Sequence, residues 1–159
     1  MTHKILQLYL DTSVIGAIFD VEDPKRIMLT KKLLNEIKNG KYNGYISNVT
    51  VAEIGKSPEE LKPRLIKTIK DTSLKIVNED EECLTLADIY VKERVIPKIY
   101  RDDARQIAVA VKNNFDMIVS WNYRHMVNYR VRRLINAINL KVGYKTIEIV
   151  SPMEVVEHE

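Results

Sequence analysis

Apolar residues along this chain fall into short continuous runs separated by longer stretches in which they recur every three or four positions. Ile5 to Leu10, with β-branched and aromatic members, predicts a strand, and Asp11-Thr12-Ser13 directly after it supplies side chains that open helices. Pro24 begins a helical pattern through Ile27, Met28, Leu33, Leu34 and Ile37, and Gly40 closes it: proline suits the first turn and glycine the position past the last. Gly44 to Ser47 predicts a second strand, and Thr50 to Ile54 a helical turn that displays Glu53. Ser57-Pro58-Glu59-Glu60 predicts the cap of a helix running towards Asp71, with Pro63 in its first turns. Leu74 to Val77 is a third strand, and Glu79 to Val95 a helix with acids in its first turn, ended by Pro97. Asp102 is read as the N-cap of a helix from Asp103 to Asn113, with Ile107, Ala108 and Val111 on its buried face. Met117 to Ser120 is a fourth strand, Asn128 to Leu140 a basic helix, and Thr146 to Val150 a fifth strand before Ser151-Pro152.

Strand and helix therefore alternate from end to end. Crossovers between parallel strands are right-handed, so the order predicts a three-layer α/β/α sandwich around a central parallel sheet of about five strands, with ligands at the carboxyl ends of the strands. At 159 residues and 45% hydrophobic content, residues 1–159 form one domain with a core of its own. The apolar runs are too short to span a bilayer and no signal peptide opens the chain, which predicts a cytoplasmic protein with no membrane partner. Cys83 is the single cysteine, which rules out an intrachain disulfide and a Cys/His zinc site; at helical spacing from Ala87 it reads as a core thiol.

Charge changes the picture. Residues 94–133 hold nine Lys or Arg against three Asp, while the rest of the chain carries an acidic excess. The same layout brings Asp11, Glu53, Asp103 and the amide Asn122, each beside an apolar run, to one edge of the sheet. Clustered carboxylates repel unless a hard divalent cation neutralises them. A basic surface next to such a cluster suits a polyanion held by its phosphates and cut at the metal. A haloacid-dehalogenase-type phosphatase also begins with an Asp after its first strand but needs a second Asp two residues on, where this chain has Ser13.

Four segments in order carry a resemblance. Tyr9-Leu10-Asp11-Thr12-Ser13-Val14-Ile15, Ser47-Asn48-Val49-Thr50-Val51-Ala52-Glu53-Ile54, Asp103-Ala104-Arg105-Gln106-Ile107-Ala108 and Ile118-Val119-Ser120-Trp121-Asn122 together resemble the motifs of PIN-domain ribonucleases, especially small members of the VapC toxin type. The resemblance implies a parallel sheet with helices on both sides and an acidic pocket for Mg²⁺ or Mn²⁺, with Asp11, Glu53 and Asp103 as ligands. It further implies an RNA substrate, a protein antitoxin and a homodimer. Two positions depart from the pattern: Asn122 stands where the family usually has aspartate, and Gln106 where many members have histidine. An amide carbonyl still coordinates a hard ion, so Asn122 stays among the expected catalytic and metal-binding positions with less charge to offer.

Thr12, Ser13, Arg124 and His125 are the expected substrate contacts. Each site residue also has an ordinary structural role open to it. Asp11, Thr12 and Ser13 serve as helix-start side chains, Glu53 as an exposed helix residue, and Asn122 as a turn residue. Of Asp102 and Asp103 one caps and one binds metal, and the resemblance selects Asp103 for the metal. His125 reads equally as a partly exposed, hydrogen-bonded histidine, and Arg130, Arg132 and Arg133 as a solvated face. The competing functional class is a PIN-like module weakened in catalysis at Asn122 that binds RNA or a partner protein.

Overall fold

Each apolar run pairs in parallel with its neighbours in the computed structural model, which describes residues 4–156. The strands are β1 (Gln7–Leu10), β2 (Asn43–Ser47), β3 (Lys75–Val77), β4 (Met117–Val119) and β5 (Glu148–Val150), in the order β3-β2-β1-β4-β5. Tyr9 pairs with Tyr45 on one side and Ile118 on the other, so β1 is the middle strand. Helices α1 (Thr12–Ala17), α2 (Pro24–Lys38), α3 (Asn48–Ile54) and α4 (Lys62–Asp71) belong to the first half of the chain. A second set follows β3: α5 (Glu81–Lys92), a 3-10 turn (Lys98–Tyr100), α6 (Arg101–Lys112), α7 (Tyr129–Lys141) and a short α8 (Pro152–Val155).

Side chains alternate across the pleat, and the two faces collect different helices. Tyr9, Ile118 and Ile149 join the core under α5, α6 and α7, whereas Leu8, Leu10, Ile46 and Val119 join the one under α1, α2 and α4. This is the expected three-layer sandwich. Both faces are covered, and for that reason the strands read as continuous apolar runs. Gly44 in β2 is a packing requirement: a Cβ there would come within 2.6 Å of Leu74 Cδ2 and 2.9 Å of Ile37 Cγ2.

The caps explain several boundaries. Asp23, Asp80 and Asn128 accept from the backbone N–H groups of Arg26, Cys83 and Val131, fixing the starts of α2, α5 and α7. Two expectations are corrected. Asp102 is not the N-cap of α6, because the 3-10 turn carries helical geometry back to Arg101 and leaves Tyr100 at the cap; Asp102 lies in the first turn and pairs with Arg105 at 2.9 Å. The helix expected from Ser57 begins only at Lys62, with Pro63 in its first turn and ordinary turns before it. Cys83 is fully buried in α5, where burial pushes its thiol up to about 11, as a core thiol requires. Among the described residues no helix is long and apolar enough to cross a membrane.

Candidate active site

The strand order reverses direction beside β1, since the chain goes first to β2 and β3 and then crosses over to β4 and β5. Such a switch point leaves a crevice at the carboxyl ends of the two strands flanking it. The Asp11 N–H extends the ladder by donating to Val119 O at 3.2 Å, which holds Asp11 against the start of the β4 exit loop. Asp11 occupies the N-cap position of α1, yet its carboxylate caps nothing. It accepts instead from Ser13 Oγ at 2.6 Å. Ser13 Oγ in turn accepts from the Trp121 N–H at 2.9 Å, and Ser120 Oγ from the Asn122 N–H at 2.9 Å. Small hydroxyls thus join the ends of β1 and β4.

Asp103 enters from the first turn of α6. Its Oδ2 accepts from Asn122 Nδ2 at 3.2 Å and lies 2.9 Å from His125 Nδ1. The Asn122 carbonyl is also engaged, accepting from the His125 N–H at 2.9 Å. His125 is buried, its ring centroid 4.2 Å from that of Tyr100. Glu53 comes from α3 and accepts from Gln106 Nε2 at 3.1 Å; the same nitrogen donates to Thr12 Oγ1 at 2.9 Å. The Gln106 carbonyl accepts from the Tyr9 phenol and from Thr50 Oγ1, and the phenol also contacts Ser47 Oγ at 2.7 Å. Two hydroxyls on the carbonyl leave the amide one orientation, with its N–H groups aimed at Thr12 and Glu53.

The electrostatics follow from burial. Asp11 is 4% exposed. Burial pushes its carboxyl up to about 7, against the Ser13 and Ser120 hydroxyls and with added repulsion from Asp103 and Glu53. Glu53 and Asp103 are raised for the same first reason, with Gln106 and Thr12 opposing at Glu53 and His125 and Asn122 opposing at Asp103. The arginines near in sequence are turned elsewhere. Arg105 grips Glu79 at 2.6 and 2.8 Å, and Arg130 donates to the carbonyls of Arg94 and Val95 at 2.8 and 3.2 Å. Arg132 reaches Ile149 O at 3.5 Å. Arg124 lies exposed over the Tyr100 ring, 5.4 Å from its centroid.

Sequence reasoning singled out Asp11, Glu53, Asp103 and Asn122, and the structure brings them to one sheet edge with Thr12, Ser13 and His125 among them. It does not form them into a cage: among the described residues no three Asp, Glu, His or Cys side chains are close enough to hold one metal ion together. Each acid is tied to its own hydrogen-bonding partners. The donor chemistry still fits a hard cation, because buried carboxyl oxygens whose charge is opposed by burial and by one another are stabilised by a divalent ion. Mg²⁺ commonly takes one or two carboxylates and keeps its waters, a coordination that needs no three-acid cage. Tyr9, Ser47 and Thr50 lie within the motif segments without a role assigned to them; their signal was a phenol inside an apolar strand and two hydroxyls flanking the next helix start.

Comparison with known proteins agrees with this layout. The family model described as PIN domain matches residues 8–138. The VapBC2 structure from Rickettsia felis bound to a DNA fragment from its promoter is similar, at 15% identity and a TM-score of 0.56, over 92% of this chain and 98% of the other. DNA-bound VapBC from Salmonella typhimurium is similar at 17% identity and a TM-score of 0.57, over 93% and 99%. At these identities the likeness is one of fold. No curated protein matches the chain.

Proposed function

This chain belongs to the PIN-domain family, and from that premise we propose that it is a metal-dependent endoribonuclease that hydrolyses RNA phosphodiester bonds as the toxin of a toxin–antitoxin pair. The observation that carries the reading is the set of three acids at the switch point, all raised by burial and held by hydroxyls, amides and an imidazole. Asp11 and Asp103 would hold Mg²⁺ or Mn²⁺, with Glu53 and Asn122 engaged directly or through water. A bound ion would lower the pKa of a water and neutralise charge on the scissile phosphate. The chain's own part is positioning: Ser13 orients Asp11, Gln106 orients Glu53 and Thr12, and Asn122 with His125 orients Asp103. Glu53 is the candidate to orient or deprotonate the attacking water, and Arg124 to meet a phosphate.

Incubation of the purified protein with single-stranded RNA tests this. Cleavage is expected with Mg²⁺ or Mn²⁺ and none in EDTA, and Asp11→Asn or Asp103→Asn lowers the rate by roughly two or more orders of magnitude. Full-rate cleavage by both variants overturns the reading.

The fold shared with VapBC structures supports an antitoxin partner, and one surface suits it. An apolar groove of about 670 Å³ runs between α3, α4 and β3, lined by the exposed Ile66 and Ile76 together with Lys62 and Lys70. Two copies facing each other there would oppose lysine to lysine, so the fitting occupant is an apolar antitoxin segment flanked by acids. Homodimerisation is part of the same proposal, and sedimentation as a strict monomer at micromolar concentration overturns it.

One observation favours the rival, non-catalytic reading. The Asn122 carbonyl is committed to His125, and its NH₂ group faces Asp103 where the family usually supplies another acid. A protein that binds RNA but fails to cleave it in Mn²⁺ would settle for the binding module.

A further inference from the structure

Two arginine–aromatic stacks flank the acidic pocket, and each is one residue removed from a group that touches Asp103. On one side the guanidinium of Arg26 lies 5.0 Å from the Trp121 ring centroid and 5.7 Å from that of Tyr123. Trp121 is buried and anchored through Nε1 to Thr30 Oγ1 at 2.8 Å, whereas Tyr123 is 45% exposed. These two aromatics bracket Asn122, the donor to Asp103. On the other side the exposed Arg124 lies 5.4 Å over the ring of half-buried Tyr100, and Tyr100 stacks at 4.2 Å on His125, the second partner of Asp103.

The exposed Tyr123 beside Arg26, and the exposed Arg124 plane over half-buried Tyr100, are the chemistry that takes unpaired bases. Stacking on aromatic rings and arginine planes tolerates any base, and it requires bases that are not already paired within a duplex. We infer that Tyr123 with Arg26 and Tyr100 with Arg124 form two base-stacking subsites that hold the unpaired nucleotides on either side of the phosphate presented to Asp11 and Asp103. The inference rests on the ribonuclease reading and adds to it the residues that select the strand. The arginines then act through their planes as well as their charge, and lysine does not replace them.

The test measures binding in EDTA, where cleavage is off, of a fluorescein-labelled single-stranded RNA of about eight nucleotides, with an abasic ribose-phosphate oligomer of the same length beside it. Tyr123→Ala, Tyr100→Ala and Arg124→Lys should each weaken binding of the base-bearing RNA by roughly tenfold or more and leave the abasic oligomer unchanged. Tyr123→Phe and Tyr100→Phe keep the ring and should bind as wild type. Because the phenylalanine variants preserve packing and the abasic oligomer reports on the rest of the site, loss of fold does not imitate the result. Equal weakening on both oligomers, phenylalanine variants as weak as alanine ones, or no effect in any variant overturns the stacking subsites and leaves the nuclease reading in place. A wild-type protein that neither binds nor cleaves single-stranded RNA overturns both.

Discussion

His125 and Asp103 meet nitrogen to oxygen, Nδ1 against Oδ2 at 2.9 Å, with the imidazole 7% exposed and backed by Tyr100. The histidine favours the charged carboxylate, yet burial still raises Asp103 from its ordinary value. Losing that charge should therefore help the metal-free fold.

Asp103→Asn is expected to melt higher than wild type in EDTA, by about 1 kcal/mol, while losing most of the stabilisation that Mn²⁺ gives wild type by binding the folded state. The opposing effect is the dipole of α6, whose first turn favours an anion by roughly 0.3–1 kcal/mol. Melting curves with and without Mn²⁺ decide between them. A variant that melts lower in EDTA and keeps the full Mn²⁺ shift removes Asp103 from the metal site.

Asp11 sets a pH dependence. Its folded value of about 7 stands above the ordinary 3.8, so the folded chain binds this proton more tightly than the unfolded chain does. The stability linked to it is fully present below about pH 4 and is lost as pH rises through 7. Glu53 and Asp103 are raised and act in the same sense. The exposed Asp80, lowered to about 2 by Lys112, acts oppositely but only below the ordinary carboxylate range. Metal-free protein should thus be more stable at pH 5 than at pH 8, by up to a few kcal/mol, and Asp11→Asn should flatten that slope. Denaturant titrations in EDTA at the two pH values check it; equal slopes in both proteins would show that Asp11 ionises freely.

Asn122→Asp replaces an N–H donor to Asp103 with a second carboxylate. The metal-free variant is expected to lose about 1–3 kcal/mol, from the broken hydrogen bond and the new repulsion. Its affinity for Mn²⁺, read by calorimetry, should rise. If wild type lacks cleavage and this variant gains it, the binding-module reading holds; if both cleave, the amide is a working substitute.

Gly44→Ala tests the packing that carries β2. The new methyl meets Leu74 and Ile37 at under 3 Å, and overpacking of this kind costs about 1–3 kcal/mol. A melting temperature equal to wild type would mean that both neighbours yield freely.

The parallel sheet was legible because its inner strands β1, β2 and β4 are covered on both faces, so apolar runs and helical spacing marked the elements without help from tertiary contacts. Asp11 and Glu53 were read as site residues from their place bordering such runs, whereas only the resemblance to PIN-domain motifs chose Asp103 over its neighbour Asp102. The start of α6 was not: Asp102 has the residue type of a cap, and only the 3-10 turn over Lys98–Tyr100 decides that the helix begins earlier. Nor was the use of the arginines. A basic stretch reads as a phosphate-binding face, whereas Arg105 and Arg130 turn to Glu79 and to backbone carbonyls, partners far away in sequence. The Tyr9–Gln106 contact joins β1 to α6 across the core, and no local pattern announces a pair so separated.

The central place of β1 also governs when the pocket comes into being. Its two neighbours arise from opposite halves of the polypeptide: β2 follows soon after it, while β4 emerges only after α5 and α6 have been made. During synthesis, a chain extended through β3 already owns Asp11 and Glu53 but has neither Asp103 nor the loop that carries Asn122. Asp11 then has no Val119 carbonyl to dock on and does not yet face Asp103. Whatever the completed crevice does to a polynucleotide is withheld from the ribosome that makes it until the chain through Asn122 has been made.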